Sequence, residues 1–227
     1  MIFPQNYELH PEYKVLHQIE HELFVYTEEY IKAYKNLRMY ELSELRWNYI
    51  TKVIGRNPLS VLDFGYGNGD FLKYAKEQGV KELYGYDISP VDPPEGVFRI
   101  RDVGIGFWDC IMLFDSLEHT EDIGKTIKAF APHNFMIITV PWCRNYSGKP
   151  ELAKRFTNEW FEHRYKNKKN DEHIWHFCKN SLINFMKIMG YSCIHTSNEE
   201  DVIRIPNENN DPNILVGVFK KLSKVIA

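Results

Sequence analysis

Apolar residues along this 227-residue chain fall into two regimes. Up to about residue 54 they recur at helical spacing: Tyr26, Tyr30 and Tyr34, then Leu42, Leu45, Tyr49 and Val53. That spacing predicts helix from about Glu12 to Ile54, interrupted near Asn36 to Met39, and Gly55 and Pro58 in "GRNP" end it. On such a helix His17 and His21 would share a solvated face. The front section, residues 1–57, therefore reads as a helical cap.

From residue 58 onward, short apolar runs alternate with amphipathic stretches. "SVLDFG", "ELYGYDIS", "VFRIRDV", "FWDCIMLFDS" and "NFMIITVP" read as strands. "GDFLKYAKEQG", "DIGKTIKAFA" and "KNSLINFMKIMG" read as helices. This alternation predicts an α/β domain over residues 58–227, a Rossmann-like, doubly wound and mostly parallel sheet. "YSCIHTSN" and "NILVGVFKKL" are close enough in sequence to pair antiparallel. The stretch from about 142 to 180 is not needed to complete the sheet and reads as an insertion or lid facing a substrate.

Charge and cysteines narrow the class. A formal net charge of −3 argues against a polyanion as the main partner, so nucleic acid is possible but not favoured. The basic run "EHRYKNKKN", with Arg164, Lys166, Lys168 and Lys169, would suit an anionic acceptor but reads first as a solvated loop. Four cysteines without C-x-x-C spacing read as reduced thiols. The N-terminus lacks a basic-then-apolar leader, and no apolar run is long enough for a bilayer. The expectation is a soluble, cytoplasmic protein with no membrane partner.

The chemistry concentrates in "VLDFGYGNGD", a strand entering a turn with Gly65, Gly67 and Gly69. Glycine turns after a strand usually cradle phosphate at a helix N-terminus. Here the third glycine comes one residue too early for a dinucleotide fingerprint, and Asp63 and Asp70 carry the wrong sign for pyrophosphate. A P-loop is excluded because no Gly-Lys-Ser/Thr follows. A cationic adenosyl ligand resolves the conflict: S-adenosylmethionine carries an ammonium and a sulfonium and no phosphate. Glycines let it approach the backbone, and a carboxylate meets its charge. Asp87, ending the next strand, stands where an acid would hold a ribose diol.

Together, "VLDFGYGNGDF", "LYGYDIS", "WDCIMLFDSLEHTEDI", "MIITVPW" and "DEHIWHF" resemble the class I S-adenosylmethionine-dependent methyltransferases over about Tyr26 to Tyr191. The order is similar to the ubiquinone-biosynthesis branch, and closer to uncharacterised bacterial and phage methyltransferases with a tyrosine-rich N-terminal helix. The resemblance implies a seven-stranded sheet with the last strand antiparallel. It implies that Asp63, Gly65, Tyr66, Gly67 and Gly69 surround the methionine part of the cofactor. Asp87 would grip the ribose, Ile88 pack on the adenine and Asp102 meet the adenine amino group. Phe114 and Asp115 would sit under the cofactor near the methyl. Phe64 and Tyr66 depart from the smaller residues of many relatives.

Two histidines complete the candidates. His119 in "DSLEHTED" suits a general base, since an unperturbed imidazole titrates at about 6.5. His173 in "DEHIWHF" is a second base or acceptor contact. No third ligand at a telling spacing accompanies His173 and His176, so no metal is expected. "VDPPEG" lacks both the strand-four position and the aromatic of a base-flipping amino-methylase, and Pro93 and Pro94 read as a rigid turn. The expected activity is methyl transfer to a small-molecule, nucleotide or sugar acceptor. The alternatives are a regulatory module that binds the cofactor without turnover, or a nicotinamide-dependent oxidoreductase, which the glycine spacing disfavours.

Overall fold

The structure, a computed structural model, describes residues 6–21, 25–29, 38–143, 173–204 and 212–222. Its centre is a seven-stranded sheet of β3 (Ser60–Phe64), β4 (Glu82–Tyr86), β5 (Phe98–Arg99), β6 (Trp108–Phe114), β7 (His133–Pro141), β9 (Tyr191–Ser197) and β10 (Ile214–Lys221). The spatial order is β5-β4-β3-β6-β7-β10-β9. The first five strands in this order are parallel, and β10 runs antiparallel to both β7 and β9. The expected doubly wound sheet with its antiparallel final strand is present.

β6 is buried at every position, as a central parallel strand covered on both faces must be. Alternate side chains serve opposite layers. Leu62, Ile111 and Leu113 join one core with Phe177, Leu182 and Phe185. Val61, Cys110 and Met112 join the other with Ile50, Phe71 and Leu72. Helices α1 (Met39–Ile54) and α2 (Asp70–Glu77) cover the second face. α4 (Lys179–Ile188) covers the first, while the short α3 (Ile123–Ala129) leads into β7. α1 ends where its sequence says it should: Gly55 turns left-handed at φ 78° and its N–H closes on Thr51 O.

The front section differs from expectation. Residues around Glu12 to Gln18 are not helical. β1 (Tyr7–Leu9) and β2 (Leu16–Gln18) form an antiparallel hairpin, and β8 (Trp175–His176) adds a third strand. A three-residue strand carries too little periodicity to be read, and its partner lies far along the chain. His17 is accordingly no surface helix residue: it stacks on Trp175 with ring centroids 4.9 Å apart. Tyr30 and Tyr34, most of the 142–180 stretch and its basic run lie outside the described residues. Among the described residues no helix is long and apolar enough to cross a membrane.

Candidate functional site

A cleft of about 1150 Å³ opens where β3, β4 and β6 end. Its floor is the glycine turn, and the backbone fixes that turn tightly. Gly65 N–H donates to Tyr86 O at 2.7 Å and Gly69 N–H to Tyr66 O at 2.7 Å. All three glycines have positive φ, at 82°, 54° and 71°. A Cβ on Gly65 would lie 2.8 Å from Ser116 Cβ, and one on Gly69 only 2.4 Å from Pro94 Cδ. Pro94, in the rigid turn read from "VDPPEG", thus seats the start of α2. A Cβ on Gly67 would meet nothing within 4 Å.

Asp63, at the end of β3, is 3% exposed, and its Oδ1 has no hydrogen-bond partner among the described residues. Burial pushes its carboxyl up to about 7, with Arg46 pulling it down and Asp87 adding a small further push upward. Asp87 links two strand ends. Its Oδ2 accepts from Gly67 N–H at 2.8 Å and its Oδ1 from Ser89 N–H at 2.7 Å. Ile88 lines the cleft and is 71% exposed, a large apolar side chain without cover.

Three expected contacts stand differently. The Tyr66 side chain turns inward: its ring packs on Gly85 and its hydroxyl donates to Val91 O. Burial raises that phenol to about 12, so it stays protonated, and only the backbone of Tyr66 belongs to the turn. Asp102 is exposed and does not line the cleft; its Oδ1 accepts from Gly104 N–H at 2.8 Å, closing its own turn. Asp115 does line the cleft, in a left-handed conformation at φ 48°, but its carboxylate is held by two arginines.

Those arginines have no signature in the sequence. Arg46, on α1, donates from Nε and Nη2 to Glu200 at 2.6 and 2.9 Å and reaches Asp115 at 3.2 Å. Arg204 Nη1 meets both Asp115 oxygens at 2.8 and 2.7 Å and Glu200 at 3.2 Å. Burial alone would raise the Asp115 carboxyl, but Arg204 and then Arg46 outweigh it and hold it below the usual range. The Arg46 guanidinium also lies 4.2 Å over the ring of Phe114, which lines the cleft beneath it. This quartet anchors α1 and the turn at 199–204 against the end of β6.

On the far side of the cleft, the 3₁₀ turn Leu117–His119 presents His119. His173 meets it edge-on with ring centroids 4.8 Å apart, and the Tyr26 ring also meets it edge-on at 6.0 Å. Both sequence-derived histidines therefore face one space. Glu118, fully buried, lines it with them. His176 does not: it lies in β8 against Tyr7.

A sequence profile described as a methyltransferase domain matches residues 34–196. The chain belongs to this family, the class I S-adenosylmethionine-dependent methyltransferases. Solved structures share the fold at low identity. An S-adenosylmethionine-dependent methyltransferase from Mesorhizobium loti is 15% identical, with TM-score 0.54, over 78% of this chain and 98% of its own. The 1,6-didemethyltoxoflavin-N1-methyltransferase of Burkholderia thailandensis, solved with 1,6-didemethyltoxoflavin and S-adenosylhomocysteine, is 14% identical. Its TM-score is 0.55, over 94% of this chain and 98% of its own. The magnesium protoporphyrin IX methyltransferase of Synechocystis PCC 6803, solved with S-adenosylhomocysteine, is 14% identical, with TM-score 0.51, over 83% and 87%. No curated protein matches the chain by sequence.

Proposed function

We propose that the cleft binds S-adenosylmethionine along the glycine turn and transfers its methyl to a small oxygen- or nitrogen-bearing acceptor held near His119 and His173. The observation that carries this reading is the buried, unpartnered Asp63 oxygen beside a turn with room at Gly67. An ammonium group suits such a carboxylate; a phosphate does not. Asp87 keeps lone pairs for a diol while it holds Gly67, and Ile88 offers an apolar face to a base.

When bound, this cofactor supplies a methyl group made electrophilic by its sulfonium. The chain's own task is alignment and water exclusion. Phe114, with Arg46 against its face, forms an apolar wall at the end of β6. His119 and His173 offer ring nitrogens to an acceptor hydroxyl or amine. With residues 58–227 taken as the methyltransferase domain, Tyr26 and Met39 of the front section and His173 of the 142–180 stretch line the cleft among the described residues. A small acceptor is favoured because the Burkholderia enzyme, matched over nearly its whole length, was solved with a small heterocycle.

Calorimetry with S-adenosylmethionine, S-adenosylhomocysteine and a nicotinamide dinucleotide tests the binding half. One equivalent of the first two and none of the third is the expected result. Formation of S-adenosylhomocysteine over a panel of hydroxyl, amine, sugar and nucleotide acceptors tests the transfer half. Binding with no turnover on any acceptor would favour the regulatory alternative.

A further inference from the structure

The cluster at the acceptor end holds more than two potential bases. One carboxylate oxygen of Glu118 and one ring nitrogen each of His119 and His173 all lie within 4.8 Å of one another. Glu118 Oε1 stands 3.8 Å from His119 Nε2. Ligands around a single first-row cation sit about 2.0–2.2 Å from it, so neighbouring donors are roughly 3–4 Å apart. The farthest of the three atoms need to draw together by about 1–2 Å, a shift of the order of a side-chain torsion.

Tertiary contacts preset this arrangement. Ile174 N–H donates to Glu118 O at 2.9 Å, fastening the residue after His173 onto the 3₁₀ turn. Gln18 Nε2 donates to His173 O at 2.8 Å, and Trp175 Nε1 to Thr120 O at 2.8 Å. Two of these bonds hold the His173–Trp175 segment against the Glu118–Thr120 turn, and the third ties the His173 carbonyl to β2. These bonds fix the backbone from which the three side chains project, so the donor atoms start close together. All three residues also line the same cleft, so any remaining coordination positions would face the acceptor.

We infer that Glu118, His119 and His173 bind one divalent transition-metal cation at the acceptor end of the cleft. Two imidazoles and one carboxylate suit manganese, iron, cobalt or zinc better than magnesium or calcium, which prefer all-oxygen shells. Three protein ligands leave open positions, which an acceptor carrying oxygen donors would fill. A hydroxyl coordinated there loses its proton to solvent more readily. The imidazoles then act as ligands, and an acceptor needs no protein base. The choice of acceptor rests on the methyltransferase reading; the cation site does not.

The test uses the whole chain, stripped with chelator and titrated with cobalt(II) and manganese(II) in the absence of cofactor and acceptor. We expect one cobalt per chain, with a visible ligand-field band, at micromolar affinity. His173→Ala and Glu118→Gln should each weaken cobalt binding at least tenfold. A melting curve and S-adenosylmethionine titration of each variant report whether the fold and the other end of the cleft survive. If Glu118→Gln fails to fold, His119→Gln, at a less buried position, gives the same readout. Less than a fifth of an equivalent of cobalt or manganese, or stoichiometric binding that the folded variants leave unchanged, overturns the site. Cation binding without S-adenosylmethionine binding would sink the functional reading and leave this one standing.

Discussion

At the scale of single residues, Asp63 is the most informative. Its carboxyl is raised from 3.8 to about 7, so the folded chain takes up a proton there that the unfolded chain, between pH 4 and 7, does not. The contribution of this residue to stability is therefore fullest below about pH 4 and is lost as pH rises through about 7, by about 4 kcal/mol in all. Asp63→Asn should melt higher than the parent at pH 8, with the difference shrinking toward pH 5; thermal scans across that range check it. The same variant should bind S-adenosylmethionine at least tenfold more weakly at pH 8. Binding by the parent near pH 6.5 should release a proton, visible when calorimetry is repeated in buffers of different ionisation heat. Gly69 is constrained twice, by φ 71° and by Pro94 at 2.4 Å from a built Cβ. Gly69→Ala should cost about 1–3 kcal/mol in urea unfolding and loosen the turn enough to lower cofactor affinity.

At the scale of elements, the quartet of buried Arg46 and Glu200 with half-buried Asp115 and Arg204 joins α1, the end of β6 and the 199–204 turn. Each arginine meets both acids, so the four charges balance only as a set. Glu200→Ala leaves two arginines with one carboxylate and should destabilise by about 3–5 kcal/mol. The double variant Arg46→Met with Glu200→Met restores a neutral pair in an apolar volume. Chemical unfolding should find it less destabilised than the sum of its single changes, with a coupling of about 1–3 kcal/mol. Because Arg46 also lies on Phe114, Arg46→Met should move the cleft wall and raise the KM of whatever acceptor is found.

At the scale of the whole molecule, ligand binding should act as a clasp between the three strand ends. At a hundredfold excess over Kd, S-adenosylmethionine should add about 2.7 kcal/mol to stability and raise the melting temperature by several degrees. How much of this molecule the sequence determines follows from range. The α/β alternation, the sheet and the glycine turn are written in local patterns of period two, period 3.6 and left-handed turns, so they are legible residue by residue. Asp63, Asp87 and Ile88, read from the sequence as candidates, all line the cleft because each stands at or just past the end of a strand that borders it. The N-terminal hairpin escaped because β2 is completed by β8, more than a hundred and fifty residues on in register at Leu16 and His176. The arginines on Asp115, the inward turn of Tyr66 and the place of Glu118 beside the two histidines escaped for the same reason. Each is a contact between segments whose spacing in sequence carries no periodic trace. Local propensity thus determined which elements form and where the glycine turn and its neighbouring acids stand. Packing of distant segments alone decided which charges are already neutralised and which side chains face the cleft.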